Sequence, residues 1–323
     1  MSGNSLLIVI PCLDEERHLG TLLEHMLADN PQATIVVADG GSRDSSRQIV
    51  ERLQASSARL HLLDNPARLQ SVGINLALER FGSGKKWLLR VDAHCSYPRG
   101  YAEGLCRVAV ERNATCVVVP MVTRGEGCFG RAAAAAQNSW LGTGGSAHRH
   151  LGSGRFVEHG HHALMSIGAF EAAGGYREDM PANEDAELDA RLTARGARIW
   201  LEPDLVIGYV PRSTLTALWR QYFRYGQGRA RTLLLHRLRP RLRQLLPLAP
   251  AVALLSSPLA CWWLPAIFPL LAWAAAVILA GAALGAALRT WCATLSGFAA
   301  GTMHLAWGSG FLLALLVRTS AKL

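Results

Sequence analysis

Asp92 and His94 close an apolar run, Trp87-Leu88-Leu89-Arg90-Val91-Asp92-Ala93-His94, and residues two apart on an extended chain point to one side. A carboxylate and an imidazole so placed can hold a single cation facing a cleft, or Asp92 can simply cap a turn. A second acidic pair, Glu184-Asp185, precedes the helical spacing of Leu188 and Leu192. The dipole at that helix start favours an ionised carboxylate, with plain helix capping as the other use. Gln221, Arg224 and Tyr225 share one face of a helix predicted from about Thr214. Arg224 can pair with an anionic ligand group and Tyr225 can stack on a ligand ring; alternatively Leu218, Tyr222 and Tyr225 dip into lipid. His161 and His162 follow Gly160, either approaching a cation or acceptor or ending a strand with one satisfied core histidine.

The elements that must position these groups alternate regularly. Leu6–Ile10 is an apolar run stopped by Pro11, followed by a loop, Cys12-Leu13-Asp14-Glu15-Glu16, and a helix with Leu19, Leu22, Leu23 and Met26 on one face. Thr34–Ala38 predicts a second strand ending at Asp39, and Ser42 or Asp44 can cap a helix from Ser45 to Gln54. Leu60–Leu63, a helix carrying Leu69, Val72, Leu76 and Leu78, and Trp87–Val91 repeat the cycle. Such alternation implies a parallel, doubly wound α/β sheet, whose ligands bind beyond the carboxyl ends of the strands. Asp14-Glu15, Asp39 and Asp92 all follow strand ends, and carboxylates crowded on one rim are costly without a cation between them. Neither Gly-x-Gly-x-x-Gly after the first strand nor a Walker sequence is present. That argues against dinucleotide-dependent and P-loop chemistry.

The C-terminal third is of another kind. No charged residue occurs in the 44 positions from Leu245 to Leu288, or in the 27 from Trp291 to Val317, and about 20 apolar residues suffice to cross a bilayer. The net charge of +9 has its origin here: after Asp204 there is no acid, but 12 Arg and Lys. Arg237, Arg239, Arg241 and Arg243 crowd before the apolar segments, as a cytoplasmic anchor facing anionic lipid would. That position argues for lipid, not nucleic acid, as the partner of the basic residues. About three spanning helices are expected, with a turn near Trp262-Trp263-Leu264-Pro265; two remain if Pro247, Pro250 and Pro258 make the first segment interfacial. His304, inside an apolar segment, needs a hydrogen-bond partner on another helix. Seven scattered cysteines, with no Cys-x-x-Cys, argue against disulfides and zinc and suit a reducing cytoplasm. Five glycines between Gly142 and Gly154 suggest an acceptor-side lid.

Five short motifs in order carry a family resemblance over about residues 5–230. Pro11-Cys12-Leu13-Asp14-Glu15 resembles the Pro-x-x-Asn-Glu opening of family 2 glycosyltransferases, with Asp14 where Asn is usual. Asp39-Gly40-Gly41-Ser42-Arg43-Asp44 is similar to their Asp-Gly-Ser-x-Asp element with one added Gly, and Asp92-Ala93-His94 stands where Asp-x-Asp stands. Asn183-Glu184-Asp185-Ala186-Glu187-Leu188 resembles the Glu-Asp element carrying the catalytic base, and Gln221-Tyr222-Phe223-Arg224-Tyr225 the Gln-x-x-Arg-Trp motif. Within the family, Gly160-His161-His162-Ala163-Leu164 and the short apolar tail resemble the ExoA-type succinoglycan glucosyltransferase group.

The resemblance implies a GT-A (Rossmann-like, mostly parallel) catalytic domain over residues 1–210, an interfacial basic segment over 211–243 and a membrane region over 244–323. It implies Asp185, beside Glu184, as general base in an inverting transfer from a nucleotide sugar, a UDP-sugar such as UDP-glucose, to a polyprenyl-linked saccharide. Asp92 and His94 would hold Mn²⁺ or Mg²⁺. Glu15 and Asp39 would meet base and ribose and Pro11 would border the substrate, while Arg68 either meets a phosphate or is a solvated helix-end arginine. The site is expected on the cytoplasmic face of a bacterial inner membrane. Transfer to bare polyprenyl phosphate, and a catalytically inert membrane scaffold, are the rival readings.

Overall fold

The computed structural model describes residues 5–144, 153–180 and 182–320. The chain opens in strict alternation: β1 (Leu6–Cys12), α1 (Glu16–Asp29), β2 (Thr34–Asp39), α2 (Ser46–Gln54), β3 (Leu60–Asp64), α3 (Gln70–Phe81) and β4 (Trp87–Arg90). Next come β5 (Cys95–Ser96), α4 (Tyr101–Glu111), β6 (Cys116–Val118), β7 (Met121–Thr123), α5 (Gly127–Gln137) and α6 (Trp140–Thr143). They lead to β8 (Arg155–Val157), β9 (His162–Ser166), α7 (Ile167–Ala172), α8 (Glu184–Ala194), β10 (Ile199–Leu201) and β11 (Ile207–Tyr209). The remainder is helical: α9 (Leu215–Leu235), α10 (Leu242–Leu245), α11 (Leu248–Ser256), α12 (Phe268–Ala287), α13 (Trp291–Thr294) and α14 (Ser296–Ser320). Packing divides the chain into two compact units, Met1–Met121 with Leu151–Tyr209, and Val122–His150 with Val210–Leu323.

The first unit is built on a sheet of order β3-β2-β1-β4-β9-β6-β10-β8. Strands β3, β2, β1 and β4 run parallel, as their β-α-β connections require, and β9 inserts antiparallel between β4 and β6. Leu7, Ile8, Val9 and Ile10 are fully buried, and Leu19, Leu22, Leu23 and Met26 of α1 close over that core. Pro11 costs this central strand nothing. The β4 ladder ends at Val9, so the missing N–H of Pro11 falls where no partner strand remains. The register sets Cys12, Asp39 and Asp64 abreast at the carboxyl ends of β1, β2 and β3.

The second unit is a helical assembly in which glycines let backbones touch. A Cβ on Gly226 of α9 would collide with the Trp307 carbonyl of α14, and one on Gly310 with the Phe223 carbonyl. His304 Nδ1 accepts the Trp273 indole N–H at 3.4 Å, leaving Nε2–H to donate to the Leu141 carbonyl at 2.7 Å. The polar group expected to need a partner on another helix therefore has one on each ring nitrogen.

Two expectations change here. Cys128 of α5 and Cys292 of α13 form a disulfide, although they lie 164 residues apart. Scattered spacing concealed the pair because helix packing, not local sequence, brings them together. Among the described residues, two helices are long and apolar enough to cross a membrane, Leu264–Ala287 and Trp291–Val317. Where a third span was expected, α11 stops at Ser256 and passes into 3-10 turns at Ser257–Cys261 and Leu264–Ile267, with Pro258 and Pro265 at their starts. The centre of the glycine-rich 142–154 segment, the expected lid, lies outside the described residues.

Candidate active site

The loops after β1 and β2 interlock. Asp14 Oδ1 accepts the Arg43 N–H at 2.7 Å, and Ser42 Oγ accepts the Asp14 N–H at 2.9 Å. Ser46 Oγ accepts the Glu15 N–H at 2.9 Å, and Asp44 Oδ1 accepts the Ser46 N–H at 3.0 Å, but the N-cap of α2 is Ser45, whose side chain makes no capping hydrogen bond. Asp14, Arg68 and Asn183 all hold left-handed backbone (φ 55°, 59° and 62°). Non-glycine residues in that region cost free energy and cluster at functional sites; here Asp14 and Asn183 stand in motif loops, and Arg68 in the turn before α3.

Asp39 is only 2 % exposed. Its carboxylate accepts from Ser42 Oγ at 2.5 Å, from the Gly41 N–H at 3.1 Å and from Arg47 Nη1 at 2.7 Å. Burial opposes its charge, but Ser42, Arg47 and the turn amides hold the carboxyl below its usual range. Arg47 also donates to Asp64 Oδ1 at 2.8 Å, tying the ends of β2 and β3. A side chain expected simply to face a ligand is thus also the centre of a turn. Glu15, expected to face the nucleotide, has its Oε1 3.1 Å from His94 Nδ1. Arg68 is exposed in the turn before α3, and its N–H donates to the Asn65 carbonyl.

The chemistry-bearing carboxylates of two distant motifs meet on one arginine. Arg90, at the end of β4 and 6 % exposed, places Nη1 2.6 Å from Asp185 Oδ1 and 3.6 Å from Glu184 Oε1, and Nε 3.3 Å from Asp92 Oδ1. Asp185 Oδ1 also accepts the Tyr176 hydroxyl at 2.7 Å. His161 stands between the motifs, Nε2 3.3 Å from Asp92 Oδ2 and Nδ1 3.9 Å from Asp185 Oδ2. Gln70 Nε2 donates to Asp92 Oδ1 at 3.3 Å, and the Asp92 N–H donates to the Tyr97 hydroxyl at 2.7 Å. Burial disfavours the Asp92 charge, but Arg90, His161 and His94 outweigh it and hold the carboxyl far below its usual range. Burial and then the Asp185 charge push Glu184 up to about 7, against the pull of Arg90. As expected, Glu184 opens α8 with Asp185 in its first turn, behind Asn183.

Gln221, Arg224 and Tyr225 belong to the second unit, on α9, whose Thr214 caps the start by accepting the Ala217 N–H. Gln221 Nε2 donates to the Tyr225 hydroxyl at 3.0 Å, Tyr222 meets Tyr225 edge-on, and Arg224 is exposed. Sequence reasoning passed over Arg90, Tyr176, Arg47 and Gln70. Arg90 carried a signal: a charge within Leu88-Leu89-Arg90-Val91 must be paired if that strand is buried. His159, bonded through Nδ1 to the buried Asp189 at 2.5 Å, was also passed over.

No group of three or more His, Cys, Asp and Glu side chains arranged to hold a metal occurs among the described residues. The pair Asp92 and His94 still fits a divalent ion that draws its other ligands from a diphosphate. The Asp92 carboxylate is held ionised, and with its Nδ1 on Glu15, His94 keeps Nε2 for a ligand.

Three comparisons bear on this arrangement. The model of "Glycosyl transferase family 2" matches residues 7–174. The chain is 46 % identical over 313 residues to "Succinoglycan biosynthesis protein ExoA" of Rhizobium meliloti (strain 1021), covering 96 % of this chain and 95 % of that one. The fold is similar to the mannosyltransferase PcManGT from Pyrobaculum calidifontis, solved with GDP-Man and Mn²⁺ (TM-score 0.63, 17 % identity, 97 % of this chain and 88 % of that one). It is also similar to S. aureus TarS 1-349 (TM-score 0.52, 12 % identity, 98 % and 92 %). With the GT-A sheet, the motif order and these likenesses in hand, the chain belongs to glycosyl transferase family 2 and is a glycosyltransferase.

Proposed function

We propose that the protein transfers a sugar, glucose in the first instance, from a nucleotide diphosphate to a lipid-linked saccharide, with inversion. The transfer takes place at the cytoplasmic face of a bacterial inner membrane, in exopolysaccharide synthesis of the succinoglycan type. The observation that carries this reading is the meeting of Asp92 with Glu184 and Asp185 on Arg90. A donor-side carboxylate and an acceptor-side base then share one frame, as in-line displacement requires. The similarity to a succinoglycan biosynthesis protein supports the polymer, and the apolar helices α12 and α14 support the membrane setting.

Asp185 takes the proton as the acceptor O–H breaks, the freed oxygen bonds the anomeric carbon, and the nucleotide diphosphate departs on the opposite face. Asp92 with His94 would hold a divalent ion, Mn²⁺ or Mg²⁺, that supplies neutralisation of the diphosphate. Glu15, Asp39 and Pro11 border the nucleotide, His161 borders both reactants, and Arg68 supplies positive charge to the phosphates. The basic run at Arg237, Arg239 and Arg241 meets anionic lipid.

The test is a screen of donor hydrolysis by the purified full-length protein across nucleotide sugars, with and without Mn²⁺. Transfer assays on polyprenyl-linked saccharide and on bare polyprenyl phosphate follow. Metal-stimulated turnover of a UDP-sugar with product on the saccharide is expected. Product on the bare phosphate alone refutes the acceptor assignment, and full complementation by Asp185→Asn refutes catalysis.

A further inference from the structure

Within the helical unit, α9, α12 and α14 border an apolar groove of about 520 Å³, a volume typical of ligand cavities. Helix packing accounts for it. A Cβ on Gly281 or Gly285 of α12 would strike Gly297 or Thr294, so α12 presses on α13 and on the start of α14. One turn further along α14 the contact loosens: a Cβ on Gly301 would meet the Trp273 ring at an ordinary 3.5 Å. Trp219 of α9, Trp273 and Val277 of α12, and Phe298, Gly301 and Leu305 of α14 line the space. Leu218 enters a buried cluster with Ala299, Ala300 and Met303, and its neighbour Trp219 is left to the groove. Two polar groups of the lining are already engaged. The Trp273 indole N–H donates to His304 Nδ1, and the Thr302 hydroxyl donates to the Phe298 carbonyl at 2.9 Å.

We propose that this groove binds the isoprenoid chain of a polyprenyl-linked acceptor, whose phosphate lies on Arg212 and Arg220. The proposal rests on the reading of the acceptor as lipid-linked and adds a place for its chain. A site for a compact polar metabolite carries placed polar groups that fix orientation; this one offers hydrocarbon contact and suits a chain. Two of its walls, α12 and α14, are the helices long and apolar enough to cross a membrane, so the groove is continuous with the surface that lipid would meet. Arg212 and Arg220 are exposed on either side of Leu215–Trp219, and no Asp or Glu follows Asp204 in the sequence. An anionic headgroup there meets no acid of α9, α12 or α14. A methyl-branched, unsaturated chain has fewer rotors to immobilise than an acyl chain making the same contacts, which favours the isoprenoid.

The experiment uses full-length protein in detergent and native mass spectrometry, with undecaprenyl phosphate and phosphatidylglycerol as probes. Wild type should retain undecaprenyl phosphate at least about tenfold more tightly than phosphatidylglycerol. Each methylene shut out of an apolar site costs about fourfold in affinity. Gly301→Leu, which fills the groove from α14, should therefore weaken undecaprenyl phosphate binding by about tenfold or more. Trp219→Ala acts on a side chain 37 % exposed, so it removes a wall without emptying a core, and should weaken binding about fivefold. Arg212→Gln combined with Arg220→Gln should cost about tenfold at low salt and less at high salt. Equal retention of the two lipids overturns the proposal, because the groove would then hold any membrane lipid. Binding within about twofold of wild type in both Gly301→Leu and Trp219→Ala overturns it as well. Selective binding by a wild type that transfers only to a lipid-free saccharide would refute the lipid-linked acceptor and leave the chain site standing. Transfer to the polyprenyl-linked saccharide with unselective binding would do the reverse.

Discussion

Glu184→Gln isolates a carboxyl whose proton affinity the fold raises within reach of ordinary buffers. Burial and the neighbouring Asp185 move it from 4.5 to about 7. The folded protein therefore holds that proton more tightly than the unfolded chain does. Its contribution to stability is complete below pH 4.5 and is lost as pH rises through 7. Between pH 5 and pH 8 the loss comes to roughly 2.5 kcal/mol, at about 1.4 kcal/mol for each tenfold in proton affinity. Glutamine keeps the shape and never ionises, so the variant escapes the loss. For a unit of this size 1 kcal/mol moves the melting temperature by about 2–4 °C, so the variant's advantage should grow by roughly 5–10 °C between the two pH values. Thermal melts of wild type and Glu184→Gln at pH 5 and pH 8 read it, and carboxyls remote from Glu184 cancel in the comparison. An advantage that is the same at both pH values would show that Glu184 is ionised throughout, and would refute the reasoning about its surroundings.

Three further outcomes follow from the same geometry. Arg47→Ala frees Asp39 and Asp64 and should destabilise the protein by about 1–2 kcal/mol at pH 7. Because the Asp39 carboxyl lies below its ordinary 3.8, the difference should shrink as pH falls past that value, as urea titrations at pH 7 and pH 3 would show. Gly226→Ala forces a methyl onto the Trp307 carbonyl and should lower stability in detergent by about 1–3 kcal/mol, with a lower melting temperature as the readout. Asp92→Asn should abolish Mn²⁺-stimulated donor hydrolysis. His94→Ala should raise the Mn²⁺ concentration needed for half-activation; activity kept with no metal dependence would mean that His94 only orients its neighbours.

The parallel half of the sheet was legible because each strand is a buried run bounded by a turn. Thr34–Ala38 and Leu60–Leu63 each extend by one residue in the structure, to Asp39 and Asp64. The helix after Thr214 starts where its cap stands. The short strands β8, β9 and β10 were not legible, since three to five residues carry too little periodicity to separate strand from loop. Asp92, Glu184 and Asp185 stood out by type and spacing. Tyr176 could not, because a tyrosine ahead of an acidic stretch gives no sign of the contact its hydroxyl will make.

The sequence by itself determined what is local: element type and order, the carboxylates at strand ends, the helix start that carries Glu184 and Asp185, and the apolar C-terminal runs. Hydrophobic period, capping residues and composition act over a few neighbours, so they can be read along the chain. Tertiary structure alone decided how those parts are tied. It set Arg90 against a carboxylate 95 residues away, tied Asp39 to Arg47, joined Cys128 to Cys292 and turned one expected span into a short helix. Such pairings depend on which elements pack side by side, and a buried charge or thiol finds its partner across space, where sequence distance carries no information.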